Sequence, residues 1–209
     1  MQVAVCLSGA SGTIYGRRLC QGLLLAGHTV HVVASDAARR VLELEEGIRL
    51  GTRFTPDQFL SGLSAIEGMP PSALTESALP GSLIVHECDI ASELGSGSVA
   101  LDAVAVAPCS MASLAAVAHG TGRHLVHRLC DVAIKEHRRL VLAPRETALS
   151  VIHLENMARL ARLGVSIVPC MPGFYLKPQC VIDLVDFVVD RIATHMGCPL
   201  GLAGSWQGG

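Results

Sequence analysis

The chain has 209 residues, of which half are hydrophobic and only 16% are charged. This length and composition suit one compact domain with a sizeable core and exclude a disordered chain. The formal net charge is -2 and no basic run occurs, so the sequence lacks the electrostatic footprint of a nucleic-acid binder and favours a small-molecule partner.

Short apolar runs alternate with helical patterns along the chain, as they do in repeated βαβ units. The runs predict strands at 3–7, 29–33, 83–85, 103–107, 140–143 and 165–168, and helices at about 13–26, 56–63 and 123–136 and around 183–191. This order predicts an α/β fold, a parallel sheet with helices on both faces, in a single domain spanning 1–209. Residues 51–97 are expected to form a loop-rich excursion, and 197–209 a C-terminal tail.

The first predicted strand ends in the sequence SGASG at residues 8–12, and a helical pattern follows. Backbone N–H groups and hydroxyls of such a loop can hold an anion at the N-terminus of the helix. The spacing of Gly9, Gly12 and Gly16 does not fit the dinucleotide fingerprint. The loop therefore favours a mononucleotide phosphate, although an ordinary strand-to-helix turn would have the same composition.

Five predicted strands end in small or polar residues, at 8–11, 34–36, 108–110, 144–146 and 169–172. Ligands of open α/β sheets bind outside the carboxyl ends of strands, so these ends are expected to meet in one crevice. Ser35 and Ser110 could equally act only as helix N-caps.

Positive charges indicate a second anion site. Arg128 and Lys135 share one helix face with Asp131, as a phosphate clamp or a surface salt-bridge ladder would require. On the last helix, Arg191 points away from a stripe of aspartates. It therefore either binds a phosphate together with Tyr175 or extends its charged end into solvent.

Histidines and cysteines do not indicate a metal site. His124, His127 and Cys130 recur at helical spacing, but no further motif completes a tetrahedral set. The eight cysteines are scattered without a C-x-x-C pair, which is typical of buried thiols in a reducing compartment. No apolar run reaches the length of a membrane span, so we expect a cytoplasmic protein. A mean hydropathy of +0.47 indicates apolar surface that meets other subunits, hence a homo-oligomer.

Seven strings together resemble, in order and over nearly the whole chain, the UbiX-type flavin prenyltransferase family. They are SGASGTIYG, APCSM, DVAIKE, LVLAPRET, HLENM, PGFYLKPQ and SWQGG. The resemblance implies a Rossmann/flavodoxin-like domain that assembles into a dodecamer, with FMN at subunit contacts and no metal. The implied reaction transfers a dimethylallyl group from dimethylallyl phosphate to reduced FMN. The product, prenylated FMN, would serve a UbiD-type decarboxylase.

The resemblance also implies roles for individual residues. The residues implied to bind FMN are Gly9, Ala10, Ser11, Ser35, Ser110, Met111, Ala112, Ser113 and Arg145. Those implied to surround the prenyl phosphate are Ser96, Arg128, Lys135, Glu146, Tyr175, Arg191 and Trp206. The implied catalytic residues are Ser11, Glu45, Lys135 and Glu146. The chain departs from the family at Ala112, where many members carry a lysine, and at 120–127.

These residue types suit the chemistry. Arg128, Lys135 and Arg191 would stabilise the charge that develops on the leaving phosphate without a metal. Ring closure on the flavin then loses a proton, which Glu146, or the departing phosphate through Ser11, would take.

Two other functions fit a similar fold. One is an FMN-dependent decarboxylase of C-terminal cysteine or of pantothenoylcysteine, but the chain lacks the P-x-M-N-x-x-M-W substrate clamp expected there. The other is a non-catalytic FMN carrier, which would need no second phosphate site.

Overall fold

The computed structural model describes residues 1–63 and 79–204. Their strands are β1 (Gln2–Leu7), β2 (Thr29–Ala34), β3 (Ser82–His86), β4 (Ala103–Cys109), β5 (Arg139–Pro144) and β6 (Ser166–Ile167). They form one parallel sheet in the order β3-β2-β1-β4-β5-β6. Without β3 this is the flavodoxin-like order, and β3 at the edge extends it to the Rossmann order.

The helices of the described residues are α1 (Thr13–Leu25), α2 (Asp36–Glu46), α3 (Pro56–Leu60), α4 (Met111–His119), α5 (Leu125–Lys135), α6 (Val151–Arg162) and α7 (Val181–Met196). A short 3₁₀ helix spans Glu93–Gly95. In residues 1–63 and 79–204, no helix has both the length and the apolar character needed to cross a bilayer.

The core consists of two layers on opposite faces of the sheet, because successive side chains of a strand point to opposite faces. Val3, Val5 and Leu7 of β1 belong to the layer that α1, α2, α3 and α7 cover. Ala4 and Cys6 belong to the layer that α4, α5 and α6 cover. Both faces are buried, which is why the strands are continuous apolar runs in the sequence.

The predicted α/β architecture and its parallel sheet are confirmed, with changes at the element ends. The strand predicted at 165–168 is only Ser166–Ile167, an edge strand that pairs with β5 alone. The helix predicted at 56–63 ends at Leu60, and the one predicted at 123–136 begins at Leu125. Part of the predicted excursion, 64–78, and Trp206 in the tail lie outside the described residues.

Candidate active site

A cleft of about 430 Å³ lies at the carboxyl edge of the sheet. β1 and β2 end level with one another there, since Leu7 pairs with Ala34, while β4, whose Val106 pairs with Cys6, continues to Cys109. The chain leaves β1 for β2 on one side and returns as β4 on the other, so this is the switch point at which α/β sheets bind ligands. The lining residues are Gly9, Ser35, Asp36, Ala37, Cys88, Ser110, Ala112, Ser113, His124 and His127. The fold thus brings together five of the residues implied to bind FMN.

Two serines cap the helices that begin at this cleft. The Oγ of Ser35 accepts a hydrogen bond from Ala38 N at 3.1 Å, and that of Ser110 accepts one from Ser113 N at 3.2 Å. Capping uses an oxygen lone pair and leaves the hydroxyl hydrogen free to donate. The two roles considered for these serines are therefore compatible, because each can cap its helix and donate to an anion.

The loop after β1 is held tightly against its neighbours. Ser8 is 1% exposed, and its Oγ donates to Pro108 O at 3.1 Å and accepts from Ser110 N at 2.7 Å. A Cβ on Gly9 would lie 2.5 Å from the Cβ of Ala37, so glycine is required for this approach of the loop to α2. Gly9 and Ala37 both line the cleft, so this close approach forms part of its wall.

A carboxylate of the chain itself occupies the N-terminus of α1. Glu45 Oε2 accepts from Gly12 N at 2.9 Å, from Thr13 N at 3.3 Å and from Thr13 Oγ1 at 3.2 Å. Partial burial opposes ionisation, but these donors and the Ser11 hydroxyl outweigh it, so the pKa of Glu45 lies below its usual value. Glu45 therefore occupies the N–H groups of Gly12 and Thr13 at the helix end where the sequence predicts a ligand phosphate. An anion in the cleft would instead meet the N-termini of α2 and α4.

Arg17, which sequence reasoning missed, fixes the end of α2 that carries Glu45. Its side chain is fully buried, pairs with Glu46, and donates to the carbonyl oxygens of Phe59, at 2.7 Å, and of Ser61. The available signal was an arginine in the amphipathic pattern of α1, because a buried charge needs a partner.

Two histidines of the α5 segment complete the wall of the cleft. The rings of His124 and His127 stack with their centroids 3.8 Å apart. Arg123 N donates to His127 Nδ1 at 3.3 Å, so the proton of the neutral ring lies on Nε2, which donates to Ser113 Oγ at 3.2 Å. Burial, reinforced by His124, lowers the pKa of His127 to about 4, and burial also lowers that of His124. Sequence analysis had considered these histidines only as metal ligands and had given them no role in the site.

Three of the residues implied to bind the prenyl phosphate lie on the α5 side of the sheet. Arg128 Nε donates to Gly95 O at 3.1 Å, next to Ser96, and Arg128 Nη1 pairs with Asp131 at 2.9 Å. Lys135 Nζ pairs with Glu136 at 3.0 Å. Lys135 ends α5, the helix that leads into β5, so it lies at the amino edge of the sheet, away from the cleft of its own chain.

Tyr175 packs against α7, which carries Arg191 and covers the face of the sheet opposite to α5. The Tyr175 ring meets Phe187 edge-on at a centroid distance of 5.5 Å, and the Arg191 guanidinium carbon is 5.9 Å from the same ring centroid. The α7 acids have other contacts. Arg18 pairs with Asp186, and Asp183 and Asp190 accept backbone N–H groups. Within the described part of the chain, no ion pair joins Arg191 to these aspartates.

Arg145 and Glu146 follow β5, beside the first loop. Arg145 Nε donates to Ser11 O at 3.2 Å, which places this guanidinium next to the segment that Glu45 caps. Glu146 Oε1 accepts from Thr147 N at 2.9 Å. Within residues 1–63 and 79–204, no ion pair joins Glu146 to Lys135, although the resemblance implies that both surround the prenyl phosphate.

The chain matches the model of the Flavoprotein family over residues 1–193. It is 41% identical to a probable UbiX-like flavin prenyltransferase of Streptomyces sp. (strain D7), over 100% of this chain and 92% of that protein. It is 40% identical to the flavin prenyltransferase UbiX of Pseudomonas aeruginosa, over 98% and 93% of the two chains. The chain belongs to the UbiX-type flavin prenyltransferase family.

A solved structure agrees with this assignment. AnUbiX (PadA1), crystallised with FMN and dimethylallyl pyrophosphate, matches with a TM-score of 0.82 and 32% identity, covering 100% of this chain and 98% of that one. A dodecameric FMN-dependent UbiX-like decarboxylase from Escherichia coli O157:H7 matches with a TM-score of 0.81 and 36% identity over the full length of both chains.

In this member of the UbiX-type family, the remaining residues implied to bind FMN adjoin the cleft. Ala10 is buried in the first loop, and Met111, the first residue of α4, is half-buried. Ala112 is exposed on the cleft wall, where its methyl group offers a phosphate no charge. The wall at this point therefore differs chemically from that of family members with a lysine.

Proposed function

We propose that this protein transfers a dimethylallyl group from dimethylallyl phosphate to reduced FMN. The observation that carries the proposal is the cleft of serine hydroxyls and helix N-termini at the switch point of the sheet, in a chain about 40% identical to flavin prenyltransferases. The donors of this cleft are N–H and O–H groups, which fit a phosphate. Asp36 is the only carboxylate among the lining residues, and it pairs with Arg39.

FMN would be held by the loops after β1, β2, β4 and β5. Ser35, Ser110 and Ser113 would donate to its phosphate, and Arg145, which donates to Ser11 O, would contact the flavin from the loop after β5. Reduced FMN, when bound, supplies the nucleophilic ring nitrogen and the neighbouring carbon. The loops supply the close positioning on which the rate of such a reaction depends.

The prenyl phosphate would be clamped by cationic residues from more than one copy of the chain. Arg128 and Lys135 lie on the α5 side, and Arg191 and Tyr175 on the α7 side, so one chain does not present them to a single phosphate. Charge-assisted hydrogen bonds to the leaving phosphate strengthen as negative charge develops there. This supports a homo-oligomer in which subunits complete each other's sites, with a dodecamer as the expected assembly.

Proton removal would use the acidic residues near the first loop. Glu45, whose pKa is lowered, is ionised at neutral pH and bonds the Ser11 hydroxyl, so the two can relay a proton. Glu146, at the end of β5, would be the base, and Lys135 from another copy would complete its surroundings. Trp206, in the tail, would cover the prenyl group.

The two alternative functions, a decarboxylase of C-terminal cysteine or of pantothenoylcysteine and a non-catalytic FMN carrier, gain no specific support. The cysteine decarboxylase TvaF from thioviridamide biosynthesis shares the fold at 19% identity and a TM-score of 0.52. A UbiD-type decarboxylase as the recipient of the product, and a cytoplasmic location, complete the proposal. The location is supported by eight cysteines of which none forms a disulfide.

The test is anaerobic incubation of the purified protein with reduced FMN and dimethylallyl phosphate, followed by mass spectrometry of the released flavin. A gain of one five-carbon prenyl unit is expected, together with its loss in Arg191→Ala. Arg159→Ala, an exposed arginine of α6, is the matched control and should retain activity. Unchanged flavin despite tight FMN binding would overturn the transferase and favour a decarboxylase or a carrier.

A further inference from the structure

The cleft contains few groups that can neutralise a phosphate. Of its ten lining residues, only His124 and His127 can carry a positive charge, and Asp36 is its only carboxylate. Arg39 pairs with that carboxylate at 2.6 Å and does not itself line the cleft. A phosphate dianion is costly to desolvate without charged or hydrogen-bonding partners, so the two rings are the groups placed to respond to it.

The hydrogen bonds of His127 prepare Ser113 as a donor. Because Arg123 N donates to Nδ1, the ring donates from Nε2 to Ser113 Oγ, and the serine hydroxyl hydrogen is then directed elsewhere. Ser113 also lines the cleft, at the first turn of α4. His124 stacks on His127, and its buried Nδ1 has no hydrogen-bond partner among the described residues.

We propose that His124 and His127 form a phosphate-recognition pair for FMN, in which His127 positions the Ser113 hydroxyl and the stacked rings take up a proton when the phosphate binds. This inference rests on the proposed function, since it assigns residues of the same site. It gives this chain a titratable counter-charge where its cleft wall has the uncharged Ala112.

The surroundings of the pair determine the direction of the pH effect. The titratable or charged groups nearby are Asp36 of α2, Cys88 after β3, and Arg128 with Asp131 of α5, which pair with each other. In the free protein the lowered pKa values keep both rings neutral at pH 7. A phosphate beside the rings raises their pKa, so binding takes up a proton, either at the unpartnered Nδ1 of His124 or at Nδ1 of His127, which then gives up the hydrogen bond from Arg123 N. FMN affinity therefore falls as pH rises through the raised value.

Two substitutions of His127 distinguish its hydrogen-bond donation to Ser113 from its uptake of a proton. In His127→Gln the amide can still donate to Ser113 but cannot gain a proton, whereas His127→Leu removes both properties. FMN and riboflavin affinities would be measured by flavin fluorescence between pH 6 and pH 8.5. Calorimetry in two buffers of different ionisation enthalpy would count the protons taken up.

Wild-type protein should bind FMN roughly tenfold more tightly than His127→Gln at pH 6, with the two converging by pH 8.5. His127→Leu should be weaker at every pH. Riboflavin, which lacks the phosphate, should show neither trend and reports whether each variant is folded. His28→Gln is the control, because His28 precedes β2 at the amino edge of the sheet.

Equal FMN affinities of wild type and His127→Gln at every pH, without proton uptake, would overturn the pair even if prenyl transfer proceeds. His124→Gln should also lose proton uptake, so a variant that takes up as many protons as wild type would remove His124 from the assignment. Failure of the wild type to bind either flavin would overturn the proposed function and the pair with it.

Discussion

Arg128 and Arg191 can be tested as parts of one site built from different copies of the chain. Arg128 lies on α5, over one face of the sheet, and Arg191 lies on α7, over the other. Each would supply a charge-assisted contact to the leaving phosphate, and loss of one such contact typically costs about 10²- to 10³-fold in rate. Arg128→Ala and Arg191→Ala are therefore each expected to retain about 1% of wild-type prenyl transfer or less.

Mixed oligomers of these two variants should regain activity. If a site takes Arg128 from one copy and Arg191 from another, random assembly from equal amounts leaves about one quarter of the sites with both arginines. Co-expression with two affinity tags, tandem purification and measurement of prenylated flavin should thus give roughly 25% of the wild-type rate, far above either variant alone. Activity equal to the average of the two variants would refute the assignment to different copies.

A second mixture serves as the control. Tyr175 and Arg191 contact the same Phe187 ring and hence act from the same copy. Mixing Tyr175→Phe with Arg191→Ala leaves no copy with both groups intact. The mixed oligomers should therefore have a rate of prenyl transfer no higher than the average of the two variants.

Three further predictions concern the supports of the site. Arg17→Met leaves Glu46 and two carbonyl oxygens without their buried donor. It should lower the free energy of unfolding, measured by urea denaturation, by about 3 kcal/mol. An unchanged urea midpoint would contradict the buried network. Glu45 has a lowered pKa in the folded state, so its stabilising effect is present above its unfolded pKa of about 4.3 and is lost as pH falls through the folded value. Glu45→Gln should therefore lower the thermal midpoint at pH 7 but not in strong acid, and an equal difference at both would count against the capping role. Gly9→Ala places a Cβ 2.5 Å from that of Ala37. It should lower the free energy of unfolding by about 1–3 kcal/mol and weaken FMN binding, which flavin titration would detect. An unaffected FMN affinity would show that the loop can shift freely.

The strands of the parallel sheet were predictable because their apolar pattern is local. β1 is a run of apolar residues in which Val3 to Leu7 are at most 1% exposed, and such a run is typical of a strand covered on both faces. The serines that end β2 and β4 were predictable as well, since the small residues after parallel strands meet at one edge. The ends of β6 were not predictable, because β6 is an edge strand and its pairing depends on how far its one neighbour, β5, extends.

The contacts that shape the site depend on tertiary structure, and local patterns do not encode them. Arg17 meets carbonyl oxygens 42 and 44 residues away, so its burial cannot be seen from α1 alone. The spacing of His124 and His127 predicts that they are neighbours on a helix, but their place in the cleft follows from α5 packing beside the end of β4. Glu45 lies in a charged stretch that reads as a solvated helix face, yet it caps α1 across the first loop.

The position of Glu45 also explains which way a flavin phosphate would point. A phosphate at the N-terminus of α1 would lie against an ionised carboxylate that already uses the N–H groups of Gly12 and Thr13. Like charges at such a distance repel, and no counter-ion pairs with Glu45 among the described residues. At the N-termini of α2 and α4, by contrast, the serine hydroxyls are free to donate and the nearest carboxylate, Asp36, is already paired. The N-terminus of α1 therefore disfavours a phosphate, whereas the N-termini of α2 and α4 favour one beside Ser35 and Ser113.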